Sequence, residues 1–189
     1  DVCSSDLFAL AEACAERGAE VTLVAGPVSL KTHHPAIKRI DVESAGEMYQ
    51  AAITAFPSSD AAILCAAVAD YRPENASGQK IKRETEGEMT LHLVPNPDIA
   101  ASLGAIKREG QVMVGFALET NDEATHAEGK LKRKNLDFIV LNSLRDQGAG
   151  FRCDTNKITI IDNAGGVTSY PLKTKREVAS DIVNKLVTL

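Results

Sequence analysis

Leu10, Ala11, Cys14 and Ala15 recur at helical spacing, and Gly18 supplies a left-handed stop before the apolar run Val21-Thr22-Leu23-Val24. The pattern predicts a helix beginning near Phe8, then a turn and a strand. A loop from Gly26-Pro27 to Pro35 leads into a second short strand, Ile37 to Val42. Ser44-Ala45-Gly46-Glu47 has capping-box spacing, in which hydroxyl and carboxylate satisfy the free N–H groups of a helix start; that helix runs to about Phe56. Ala61 to Ala66 is the next strand.

From Ala67 to Gln79 the sequence is loop-like. Lys80 to Arg83 then faces Met89 to Leu93 across a Glu86-Gly87 turn and reads as an antiparallel ribbon. Asn96-Pro97 supplies an N-cap and a first-turn proline for a helix ending near Gly110, before the strand Val112 to Ala117. A polar helix from about Asn121 to Lys134 precedes the strand Phe138 to Leu141. A second ribbon, Lys157 to Ile161 with Val167 to Tyr170, turns at Gly165-Gly166. Thr174 to Glu177 caps a last helix whose apolar stripe is Val178, Ile182 and Leu186. Strands alternating with helices, without repeat or linker, predict one α/β domain over residues 1–189: a three-layer, mostly parallel sheet with two antiparallel ribbon excursions.

Composition narrows the partners. With 21 Lys and Arg against 26 Asp and Glu, the net charge of -5 gives no general attraction to nucleic acid or anionic membrane, and a small-molecule partner is favoured. No apolar run approaches the roughly 20 residues that span a bilayer, and the start lacks a basic segment followed by an apolar stretch, so a cytoplasmic location is expected. The 4 cysteines form no C-x-x-C pair; reduced thiols are expected, with Cys65 as core packing. The histidines show no metal-ligand spacing, and the glycines form neither G-x-G-x-x-G nor a P-loop.

Parallel sheets bind ligands beyond the carboxyl ends of their strands, which brings Ala66 to Pro73, Asn96 to Ala100 and Gly115 to Asn121 to one rim. Small residues at Ala66 and Ala67 allow a ligand close to the backbone, and Asp70 and Arg72 follow them. By spacing alone this is as well read as an ordinary strand end with a solvated acid and base. Lys80, Lys82 and Arg83 lie in a glycine-containing loop; such runs are usually solvated faces, and the functional alternative is a lid whose lysine reaches a phosphate. The helix start after Asn96 offers free N–H groups, as every helix start does. Lys130 and Lys134 share one helical face and alone read as a basic surface.

In order and wording these blocks resemble one family, the synthetase half of the bacterial bifunctional phosphopantothenoylcysteine decarboxylase/synthetase. The resemblance runs from Phe8 to about Leu189 through Gly26 to Leu30, Ala66 to Pro73, Lys80-Ile81-Lys82, Asn96 to Ile99, Gly115-Phe116-Ala117 with Glu119-Thr120, and Lys134 to Asp137. It implies a Rossmann-like domain that forms homodimers. It also implies CTP contacts at Asp70, Lys80, Pro97, Asp98, Ile99, Ala100, Phe116, Lys130 and Lys134, with Lys80 the catalytic lysine of a closing flap. Ala66 and Ala67 match the wall for the phosphopantothenoyl-cytidylate intermediate. The family carries an asparagine and a serine- and glycine-rich turn before the first helix, which Asp1 to Leu7 does not reproduce; a first strand and that turn are therefore expected upstream.

The implied reaction joins 4'-phosphopantothenate to L-cysteine in coenzyme A biosynthesis. The phosphopantothenate carboxylate attacks the α-phosphate of CTP, pyrophosphate leaves, and the cysteine amine then displaces CMP. Mg2+ is expected mainly on the phosphates, with no ligand residue assigned; FMN would belong only to a fused decarboxylase domain outside this chain. Two other readings are a nicotinamide-dependent oxidoreductase, which the missing glycine fingerprint disfavours, and a noncatalytic nucleotide-binding or dimerisation module.

Overall fold

The computed structural model describes residues 2–75, 77–79, 90–119, 123–143 and 154–189. Lys80 to Arg83, the Glu86-Gly87 turn, Met89, the Asn121 helix start and residues 144–153 lie outside the described residues. In chain order the elements are α1 (Val2–Glu16), β1 (Val21–Ala25), β2 (Ile37–Asp41), α2 (Ala45–Ala55), β3 (Ala61–Leu64), β4 (Tyr71–Pro73) and β5 (Leu93–Pro95). They continue with α3 (Ile99–Ile106), β6 (Val112–Glu119), α4 (Glu123–Arg133), β7 (Phe138–Ser143), β8 (Thr155–Asn156), β9 (Ile158–Asp162), β10 (Val167–Ser169), β11 (Lys173–Thr174) and α5 (Lys175–Leu186).

The main sheet has the order β10-β9-β7-β6-β3. Its β3, β6 and β7 are parallel, while β9 joins β7 antiparallel and forms a hairpin with β10. β1 and β2 form a separate parallel pair. Alternation along the strands fills two cores. Val114, Phe138, Val140, Ile158 and Ile160 face α1 and α5, where they meet Leu10, Ala13, Val178 and Ile182. Met113, Ala117, Ile139, Leu141 and Ile161 face the other layer, against Leu103 of α3, Ala127 and Leu131 of α4, and Phe56 after α2. The fold is thus a Rossmann-like three-layer α/β arrangement with a mostly parallel sheet. Gly115 lets Leu136 lie over β6, since a Cβ there would stand 2.6 Å from a Leu136 methyl carbon.

α1 has two buried faces. Leu10 and Ala13 pack on the main sheet, whereas Phe8 and Ala11 pack on Leu23 and Ala25 of the β1-β2 pair. One helix thereby couples the two sheets. Both expected capping boxes are present, Ser44 with Glu47 on α2 and Thr174 with Glu177 on α5.

Several expectations change. α1 starts at Val2, where the spacing placed its start near Phe8, and β3 stops at Leu64, two residues early. The expected loop after Ala67 contains β4, which pairs with β5 so that Tyr71 faces Pro95 and Pro73 faces Leu93. The strand Tyr71–Pro73 is one the pattern did not mark, and the Lys80 to Arg83 arm of the expected first ribbon lies outside the described residues. The second ribbon is no excursion, because β9 hydrogen-bonds to β7 and extends the main sheet. Asn96 is not the cap of α3: Asp98 is, its carboxylate accepting the Ala101 N–H at 3.0 Å, and the helix ends at Ile106, short of Gly110.

Ile182 is 1% exposed and joins α5 to the main sheet. Ile182→Ala leaves a cavity there and is expected to cost about 2–5 kcal/mol in urea unfolding. A loss under about 1 kcal/mol would show that this layer boundary repacks freely.

Candidate functional site

The carboxyl ends of β1, β2 and β3 surround a cavity of about 320 Å3. Gly26, Pro27 and Val28 line it after β1, Val42 to Ala45 after β2, and Ala66 to Ala69 after β3, with Leu7 and Met48 contributed by α1 and α2. Ala66 and Ala67 are thus part of the wall of this hollow. Gly26 to Val28 and Ser44 were not assigned from sequence, although the strand-end rule that selected Ala66 applies equally to β1 and β2.

Beyond the cavity, Asp70 is exposed and its backbone carbonyl accepts the Asn96 N–H at 2.8 Å. The Asn96 side chain donates to the Ala69 carbonyl at 2.9 Å and accepts from the Arg72 guanidinium at 3.1 Å. Arg72 also donates to the Pro95 carbonyl at 2.8 Å. Two residues on, Asp98 caps α3 and pairs with the Lys134 ammonium at 3.1 Å. These contacts join Ala66 to Asp70, Pro97 to Ala100 and Lys134 into one continuous rim. Lys130 lies one turn before Lys134, whose N–H donates to the Lys130 carbonyl at 3.0 Å.

Phe116 is placed differently from the lysines. Its ring packs with the core under α1 and α5, whereas α4 covers the opposite face of the sheet. What Phe116 offers the rim is backbone. The ladder between β3 and β6 ends at Leu64 and Gly115, while β6 continues beside β7 to Glu119. Phe116 thus occupies the register position beside Cys65, one step from Ala66. Lys80, the expected catalytic group, lies outside the described residues. Glu74 and His92 are joined by a side-chain contact of 2.9 Å and by a backbone hydrogen bond of 2.9 Å. Among the described residues no group of three His, Cys, Asp or Glu side chains could hold a metal ion, and no helix is long and apolar enough to cross a membrane.

Partial burial alone would raise the Asp98 pKa, but the Ala101 N–H and the Lys134 ammonium together outweigh it and hold the carboxyl below the ordinary aspartate value. A carboxyl with a depressed folded pKa adds stability above its unfolded pKa of about 3.9 and loses it as pH falls through the folded value. Asp98→Asn keeps a capping oxygen and removes the charge. With the Asp98 side chain 47% exposed, its destabilisation at pH 7 is expected to stay within about 1 kcal/mol. In urea titrations that difference should shrink toward zero once the pH drops below the aspartate range. A difference constant from neutral to strongly acidic pH would contradict the assigned pairing.

Residues 7–189 match the family described as the DNA/pantothenate metabolism flavoprotein C-terminal domain. A protein from an unknown prokaryotic organism named cysteine/cysteine sulfinic acid decarboxylase is 58% identical over 182 residues, covering 96% of this chain and 50% of that protein. The coenzyme A biosynthesis bifunctional protein CoaBC of Vibrio parahaemolyticus serotype O3:K6 (strain RIMD 2210633) is 45% identical over 180 residues, covering 95% of this chain and 45% of that protein. The chain spans about half the length of the curated relatives it matches. A crystal structure of the C-terminal domain of coenzyme A biosynthesis bifunctional protein CoaBC superposes with a TM-score of 0.78 at 35% identity, over 95% of this chain and 79% of that one. By sequence and by fold, the chain belongs to the DNA/pantothenate metabolism flavoprotein C-terminal domain family.

Proposed function

We propose that this domain is a CTP-dependent phosphopantothenate–cysteine ligase of coenzyme A biosynthesis, working in the cytoplasm. The observation that carries the reading is the continuous rim: a cavity walled by Ala66 and Ala67, continued by Asp70, the start of α3 and Lys134. A hollow of small residues suits the extended acyl part of an intermediate. Free N–H groups at a helix start together with Lys130 and Lys134 suit a triphosphate. The name CoaBC, borne by a relative and by the superposed structure, supports the same pathway.

The chemistry follows from the charges involved. A carboxylate is a poor electrophile, so the carboxylate oxygen of phosphopantothenate first attacks the α-phosphorus of CTP and the bond to the β-phosphate oxygen breaks. Pyrophosphate leaves and an acyl-cytidylate anhydride remains. The cysteine amine attacks its acyl carbon, CMP departs with the former carboxylate oxygen, and the amine loses a proton. In this reading Lys80, Lys130 and Lys134 offset charge on the phosphates, and the Phe116 backbone lies at the nucleotide. Mg2+ would arrive on the phosphate oxygens; one exposed carboxylate at Asp70 fits such a shared hard-cation shell. Closure of the Lys80 loop would shield the anhydride from water.

The homodimer belongs to the same proposal. Tyr71 and Leu93 share one face of the β4-β5 ribbon and are 61% and 52% exposed, and Leu91, just before β5, is 59% exposed, an apolar strip suited to a second copy.

Assays should use the full-length gene product. Pyrophosphate release is expected only with CTP and phosphopantothenate together, and CTP should bind more tightly than ATP in calorimetry. Equal affinities would contradict the nucleotide assignment. Carbon dioxide release from cysteine without nucleotide consumption would favour the activity named for the 58% identical relative instead. Lys80→Gln should keep its melting temperature, as a polar loop position changes stability by no more than about 0.5 kcal/mol. Its pyrophosphate release should fall on the order of 100-fold; release near the wild-type rate would remove Lys80 from the mechanism.

A further inference from the structure

Asn96 stands between two segments that the proposed ligase needs in fixed relation. Its backbone N–H reaches Asp70, its carboxamide N–H reaches Ala69, and its carboxamide oxygen receives Arg72, which is itself tied to the Pro95 carbonyl. Pro95 and Pro97 flank it, and a residue before proline is confined to extended backbone. The Asn96 backbone is therefore confined, and its side chain is held by Ala69 and Arg72. Donating to Ala69 while accepting from Arg72 requires a side chain with both functions at short reach, which an amide provides and a carboxylate does not.

We propose that Asn96 is a positioning residue of the nucleotide site, holding the Ala69-Asp70 backbone against the start of α3. The proposal rests on the ligase reading above. Asn96 touches no reacting atom; it acts through Asp70 and through the Asp98 and Lys134 end of the rim, two residues further along. Its side-chain hydrogen bonds are exposed, so they contribute little to global stability and much to where the ligand-binding loop lies. A displaced rim shifts the α-phosphate relative to the attacking carboxylate, and small misplacements of that kind slow a reaction steeply.

The test compares Asn96→Asp with Asn96→Ala in the full gene product. Asn96→Asp keeps the shape and the acceptor for Arg72, but turns a carboxylate oxygen toward the Ala69 carbonyl. It should weaken CTP binding by about tenfold or more and slow pyrophosphate release, with the KM for cysteine and the melting temperature unchanged. Asn96→Ala removes the donor without the repulsion and should show the same pattern to a smaller degree. The proposal is overturned if both variants bind CTP as the wild type does, or if Asn96→Asp is no worse than Asn96→Ala. It is equally overturned if the melting temperature drops and the constants for all three substrates worsen alike, since that marks a merely structural residue. A wild-type protein that releases no pyrophosphate from CTP overturns the ligase reading itself.

Discussion

β6 and β7 bury side chains on both faces. Val114, Phe138 and Val140 lie under α1 and α5, and Met113, Ile139 and Leu141 lie under α3 and α4; all six are at most 4% exposed. A strand buried on both sides pairs its backbone with other strands and is covered by helices in two layers. Once those layers are closed, backbone and ligand can meet only where strands end and chains turn outward. The cavity beside Ala66 and the free stretch of β6 beyond Gly115 are both such endings. The position of the candidate site is thus a consequence of how the core is buried.

The site's electrostatics are local. A chain of net charge -5 attracts no polyphosphate as a whole, yet Lys134 and the N-terminus of α3 meet at one rim. Asp98 both caps that helix and holds Lys134, so the cation is kept near the helix start while partly neutralised.

Much of this was legible in the sequence because it depends on neighbours a few residues apart. The serine-glutamate and threonine-glutamate boxes fix the starts of α2 and α5. The alternation of Phe138 to Leu141 marks a strand with two buried faces. What failed depends on distant partners. Asn96-Pro97 has the local form of a helix start, but its amide is engaged by Ala69 and Arg72 more than 20 residues away, and Asp98 takes the cap. Tyr71 to Pro73 has no apolar alternation and is a strand only because β5 lies beside it. Ala66, Ala67, Asp70 and Asp98 could be gathered by the strand-end rule, whereas the parity of β6, which turns the Phe116 ring away from the lysines, follows only from which helices cover which face.

The central claim is that a carboxylate is activated as an acyl-cytidylate before an amine displaces CMP. The most direct test supplies the gene product with phosphopantothenate carrying oxygen-18 in its carboxylate, together with CTP and cysteine, and weighs the nucleotide product by mass spectrometry. The account predicts CMP bearing one oxygen-18 atom per turnover, because the bridging oxygen of the anhydride comes from the carboxylate and leaves with the nucleotide. Unlabelled CMP, or label recovered in pyrophosphate, would contradict it.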